Sequence, residues 1–115
     1  MSVPSAGPAI DRELALSRVG GDEALLKEIA ELFLADCPNA LRDLHQAVER
    51  ADAQAVERAA HGLKGSVSNF GARPVVDAAQ KLENMGRSRQ LDDAASALSA
   101  LELTLEALRP ELEAL

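Results

Sequence analysis

The chain has 115 residues, enough for one hydrophobic core and too few for two. Apolar residues make up 47%, yet Phe33 and Phe70 are the only aromatics, so the core must be built from Leu, Ala, Val and Ile. The net charge of −7 argues against nucleic acid and anionic membrane as partners, and the single Cys37 excludes an intrachain disulfide.

Residues 1–9 carry neither the basic segment nor the apolar run of a secretory signal, and read as a flexible lead-in to a domain spanning residues 10–115. No apolar run approaches the length of a membrane span, so a cytoplasmic location is the simplest expectation. Ala, Leu, Glu and Arg dominate the composition, all strong helix formers. A short first helix is predicted over residues 10–19, with Leu14 and Val19 on one side. Gly20 and Gly21 stop it, and Asp22 caps a long second helix. Leu25, Ile29, Leu32, Phe33, Leu41, Leu44 and Val48 mark its buried stripe. Pro38 lies inside that helix and predicts a kink or local break, because it cannot donate to the Leu34 carbonyl. Cys37 reads as a small buried hydrophobe, Phe33 as core, and His45 as an ordinary histidine without special context.

Asp52 caps a third helix whose buried face is Val56, Ala59, Ala60, Leu63, Val67 and Phe70. Gly71 and Ala72 make a tight reversal. Pro74 falls in the first turn of a fourth helix, where it is tolerated, followed by Val75, Val76, Ala79 and Leu82, with Gly86 as its end. The last helix has the clearest periodicity, Leu91, Ala94, Leu98, Leu101, Leu105, Leu108 and Leu112. Short connections between amphipathic helices predict an all-α fold, an up-and-down antiparallel four-helix bundle with a short extra helix at the N-terminus.

The informative segment is Ala59-Ala60-His61-Gly62-Leu63-Lys64-Gly65-Ser66. Each glycine weakens a helix interior by about 1 kcal/mol relative to Ala, and bundle packing supplies no reason for two. With Leu63 and Val67 facing the core, His61, Lys64, Gly65 and Ser68 share another face. An imidazole, an ammonium one turn on and a bare backbone patch are thereby presented together. Neutral imidazole is a competent nucleophile near neutral pH and forms covalent intermediates, and a nearby ammonium would offset phosphoryl charge. A metal-binding bundle is the competing chemistry, but Glu57 precedes His61 by four residues, no second such pair occurs, and no metal ligand is assigned. A non-catalytic adaptor bundle would leave Gly62 and Gly65 unexplained.

The run His61-Gly62-Leu63-Lys64-Gly65-Ser66, with Gly71-Ala72 closing the turn, resembles the signature of the histidine-containing phosphotransfer (HPt) domain. The resemblance extends to Gly21-Asp22, Leu32-Phe33, Asp52 and Leu82-Glu83. It implies that His61 accepts the phosphoryl group, that Lys64 supports it, and that Gly62, Gly65, Ser66 and Ser68 form the patch where a partner docks. It also implies a polar side chain on the fourth helix that orients the histidine. Reflecting position 61 about the turn lands near position 82, so Gln80 and Glu83 both flank His61, and the Leu82-Glu83 pattern of the resemblance makes Glu83 the first candidate and Gln80 the second. The implied protein is a phosphoryl carrier rather than an enzyme, expected as a monomer with no cofactor of its own. Its partners would be response-regulator receiver domains and a histidine kinase, the receiver supplying the acceptor carboxylate and Mg²⁺. The same features fit the phospho-accepting domain of a larger hybrid or chemotaxis-type kinase.

Overall fold

The computed structural model describes residues 9–115, so most of the predicted lead-in lies outside the described residues. Five helices follow in order: α1 (Arg12–Arg18), α2 (Glu23–Glu49), α3 (Ala53–Ser68), α4 (Arg73–Ser88) and α5 (Ala94–Glu113). Among the described residues there is no strand. Asp11, Asp22 and Asp52 each accept from the backbone N–H three residues on, which fixes the starts of α1, α2 and α3. Helices α2 to α5 pack in a ring, α2 on α3, α3 on α4, α4 on α5 and α5 on α2, and α1 rests against α2. The interface between α3 and α4 is the most extensive of these. This is the predicted four-helix bundle with an extra N-terminal helix.

The core is aliphatic, with Leu44, Val56, Val67, Val75, Leu82, Leu101 and Leu108 fully buried. Phe70 is the largest buried side chain, and Phe33 meets it edge-on with ring centroids 5.7 Å apart. The N-terminal segment is tied to the bundle at two places. The backbone N–H groups of Ala9 and Ile10 donate to the Glu111 carboxylate at 3.0 and 2.9 Å, and Asp11 N–H donates to the Phe70 carbonyl at 2.8 Å.

Several sequence expectations shift in register. In α1 the buried residue is Ala15, while Leu14 is partly exposed. In α2 the buried stripe is Leu26, Ala30, Leu44 and Ala47, whereas Leu25 and Leu32 face outward, Leu32 at 64% exposure. In α1 the buried position beside Leu14 is an alanine, and in α2 Ala30 and Ala47 share the buried face with Leu26 and Leu44. Ile29, Phe33, Leu41 and Cys37 are half-buried against the core. Helix α2 also runs through Pro38 without interruption, so the predicted break does not occur.

Gly86 does not end the fourth helix. It sits inside α4, which continues to Ser88 and is closed by Arg89 in the left-handed conformation at φ 60°. Its function is packing: a Cβ at Gly86 would lie 2.6 Å from the Glu57 amide nitrogen and 2.7 Å from the Ala53 carbonyl oxygen. Those are backbone atoms of α3 and cannot swing aside. By contrast, a Cβ at Gly65 would meet nothing within 4 Å. The two glycines should therefore respond oppositely to alanine. Gly86→Ala is expected to destabilise the fold by about 2 kcal/mol through forced separation of α3 and α4. Gly65→Ala should be neutral or stabilising by up to about 1 kcal/mol, from helix propensity alone. Urea denaturation of both variants checks the contrast.

Candidate functional site

Helix α3 presents its outward face between two buried anchors, Leu63 and Val67, which hold the helix against the core. On that face His61 is well exposed, at 68% of its side chain, with Gly62 and Gly65 beside it. Neither glycine has anything near its missing Cβ, so the backbone there is open to an approaching surface. Ser66 and Ser68 flank the patch, but their hydroxyls donate back to the Gly62 and Lys64 carbonyls at 3.2 and 2.7 Å. A shallow groove between α2 and α3 adjoins it, lined by Phe33, Asp36, Cys37, Ala59 and Leu63 among others. Burial pushes the Cys37 thiol above its usual value, against the pull of Arg109.

Beneath His61 lies Glu83 of α4, the one buried charged residue among those described, with only 3% of its side chain exposed. Its Oε2 is 3.1 Å from His61 Nδ1, and the other ring nitrogen has no partner among the described residues. Its Oε1 is 2.7 Å from Lys64 Nζ. Arg87, one turn further along α4, donates from Nη2 to Glu83 Oε2 at 2.8 Å. The carboxylate therefore faces an imidazole, an ammonium and a guanidinium at once. The Lys64 hydrogen bond holds the Glu83 carboxyl below its ordinary value; burial opposes this, and His61 reinforces it.

Gln80, the second candidate for contact with His61, is placed elsewhere. Its Oε1 accepts from Lys64 Nζ at 2.9 Å and its amide donates to Asn84 at 2.9 Å. Lys64 is thus held between Glu83 and Gln80, one turn from His61 and mostly covered. Sequence reasoning overlooked Arg87 and weighed Glu57 only as a metal ligand; their charges meet at 3.2 Å across the α3–α4 seam. The signal was present, since Arg87 follows Glu83 by four and Glu57 precedes His61 by four, each one helical turn. Also unforeseen is the contact of His45 Nε2 with Glu102 Oε2 at 3.0 Å, an exposed pair linking α2 and α5.

Fold and site together define a helical bundle arranged around one outward-facing histidine backed by a buried carboxylate. The family model of the Hpt domain matches residues 28–111, and the chain belongs to that family. It is similar to the crystal structure of histidine-containing phosphotransfer protein B (HptB) from Pseudomonas aeruginosa PAO1, with a TM-score of 0.86, 28% sequence identity and 94% of each chain covered. No match was found among the curated proteins.

The depressed Glu83 ionisation makes a signed prediction. A carboxyl whose folded value lies below its ordinary 4.5 contributes stability that is complete above that pH and fades as pH falls through the depressed value. The stability of wild type relative to Glu83→Gln should therefore be constant at neutral pH and fall as the pH is lowered below 4.5. Urea unfolding at a series of pH values measures it. A difference independent of pH would show that Glu83 is not held as a paired carboxylate.

Proposed function

We propose that the protein is a histidine phosphotransfer carrier of a two-component phosphorelay, with His61 as the residue that takes and returns the phosphoryl group. The observation that carries this reading is the contact of Nδ1 with the buried Glu83 carboxylate on an otherwise exposed ring. A carboxylate acceptor favours the tautomer with hydrogen on Nδ1, which leaves the lone pair on Nε2, the unpartnered nitrogen. The Nε2 lone pair attacks the phosphorus of a partner's aspartyl phosphate. As the N–P bond forms, the P–O bond to the aspartate breaks and the carboxylate leaves with its electron pair. Nδ1 keeps its proton, the ring becomes cationic, and Glu83 compensates that charge. Transfer onward is the reverse step with a second receiver aspartate.

Lys64 stands one turn from His61 and is braced by Gln80, which suits it to meet phosphoryl oxygens. Gly62 and Gly65 leave room for the partner's loops beside the ring. The chain carries the group, and the receiver brings the acceptor carboxylate and Mg²⁺. Receiver domains and a histidine kinase are the partners this reading requires, in the cytoplasm, with the carrier acting as a monomer.

Incubation with a phosphorylated receiver domain tests the reading. His61→Gln should take up no acid-labile phosphoryl group while keeping wild-type helix content and melting temperature, because the ring is exposed. His45→Gln should be phosphorylated normally. Stoichiometric acid-labile phosphorylation of His61→Gln would refute the assignment.

The same assay separates the supporting residues. Gly65→Gln should fold with equal or greater stability yet slow transfer about tenfold, equivalent to about 1.4 kcal/mol of barrier. Lys64→Ala should slow transfer and Lys64→Arg retain part of it, with the exposed Lys81→Ala as a control of equal charge. Equal rates for Lys64→Ala and Lys81→Ala would remove Lys64 from the site.

A further inference from the structure

The Glu83 carboxylate is shared unevenly. Oε1 faces Lys64 alone, at 2.7 Å, whereas Oε2 is met by both His61 Nδ1 at 3.1 Å and Arg87 Nη2 at 2.8 Å. Two donors on one oxygen each weaken the other's hold. Arg87 has a second carboxylate within reach: its Nε donates to Glu57 Oε2 at 3.2 Å. Glu57 belongs to α3 and Glu83 to α4, so the guanidinium bridges the two helices that carry the site. A guanidinium suits this place, because its donors diverge and can engage two acceptors together. Gly86 seats the α4 backbone directly on the backbone of Glu57, so the Arg87 side chain starts beside that residue.

We infer that Arg87 is a positioning residue for His61, shared between Glu57 and Glu83 so that Glu83 Oε2 can be given over to Nδ1 when the ring acquires charge. The inference rests on the reading of His61 as phosphoryl acceptor. With a neutral ring, the buried carboxylate is contacted by two cations, Lys64 and Arg87. Once Nε2 carries the phosphoryl group the ring is cationic, and its Nδ1–H becomes a charged donor to Oε2. Arg87 is then surplus at Glu83. Glu57, already in contact and partly exposed, receives the guanidinium without any rearrangement of the helices. Lys64 does not enter this exchange, being held on the other oxygen and by Gln80. Gln54 and Arg58 also line the depression around His61 and Arg87, and neither makes an ion pair with Glu83.

Glu57 and Arg87 should consequently act in opposite directions. Arg87→Gln frees Oε2 for the ring, and Glu57→Gln leaves Arg87 to Glu83. In the full-length chain, ¹⁵N spectra of the His61 ring should show a larger Nδ1–H tautomer fraction in Arg87→Gln and a smaller one in Glu57→Gln. The double variant should match Arg87→Gln, since Glu57 works only through Arg87. With a phosphorylated receiver as donor, the equilibrium for phosphorylation should rise about threefold in Arg87→Gln and fall about threefold in Glu57→Gln. Arg73→Gln, which removes an exposed pair with Asp77, should change neither quantity. Tautomer shifts of the same sign in both single variants, or none in either, overturn the inference. If the opposed tautomer shifts appear but no variant, wild type included, accepts a phosphoryl group, the positioning of the ring stands and the acceptor reading fails.

Discussion

A Cβ on Gly86 would lie 2.6 Å from the amide nitrogen of Glu57, so α3 and α4 can approach as they do only with glycine at that position. The site depends on that approach. Glu83 stands three residues before Gly86 and His61 four residues after Glu57, so the near contact and the histidine–carboxylate contact lie about one turn apart along the same seam. At the other end the seam is closed by the turn at Gly71, whose φ of 62° is left-handed. A side chain there would also strike Asp11, the residue that caps α1. Two glycines with no role in chemistry thus fix how α3 and α4 lie against each other, and every distance in the site follows from that.

Burying a carboxylate works against folding unless the charge is matched, and matched pairs seldom exceed an apolar pair of the same size in stability. Glu83 is matched by Lys64 and Arg87, both of which approach from the solvent side, while the apolar side of α4 holds Ala79 and Leu82 in the core. The arrangement is better understood as orientation than as stabilisation. A carboxylate fixed by two cations has little freedom to rotate, so the imidazole above it is presented with one nitrogen toward the protein. An exposed acid at the same position would impose no such preference, because water would compete for both the carboxylate and the ring.

The helix count, the caps at Asp22 and Asp52 and the outward placement of His61 were legible in the sequence, because each rests on local rules: a capping residue, a period of 3.6, a motif within one helix. A tight turn at Gly71 makes residues of α3 and α4 reflect across it, which brought both Gln80 and Glu83 near His61, and only the Leu82-Glu83 pattern of the resemblance set Glu83 first. Less legible was anything decided by contact between elements. The α2 stripe included Leu25 and Leu32 and missed Leu26, Ala30 and Ala47, because the neighbouring helices decide which face is buried. Gly86 resembled a helix end for the same reason. A glycine that admits a neighbouring backbone and a glycine that stops a helix look alike until the neighbour is known. Arg87 escaped notice, and Glu57 was weighed only as a metal ligand, because the ion pair that joins them crosses the seam between two helices and no spacing within one helix reveals it.

The contrast among the glycines also bears on what the outer face of α3 is for. Gly71 and Gly86 are accounted for inside the molecule, one by backbone conformation and one by an adjacent helix. Gly62 and Gly65 are not: their α-carbons face open space, and the helix bears the propensity cost without any internal return. A cost with no internal return implies a benefit outside the chain. The natural beneficiary is a surface that must come within bonding distance of a ring only one residue from Gly62. The division of labour then follows from charge. The chain is acidic overall, and the cations around His61 are largely engaged with Glu83, Glu57 and Gln80. With His61 as the proposed acceptor, the chain would offer an oriented nucleophile and room to reach it, and the neutralisation of a transferring phosphoryl group would fall mainly to the partner. On that reading, a carrier so arranged would hold the group while the partner supplies what its transfer requires.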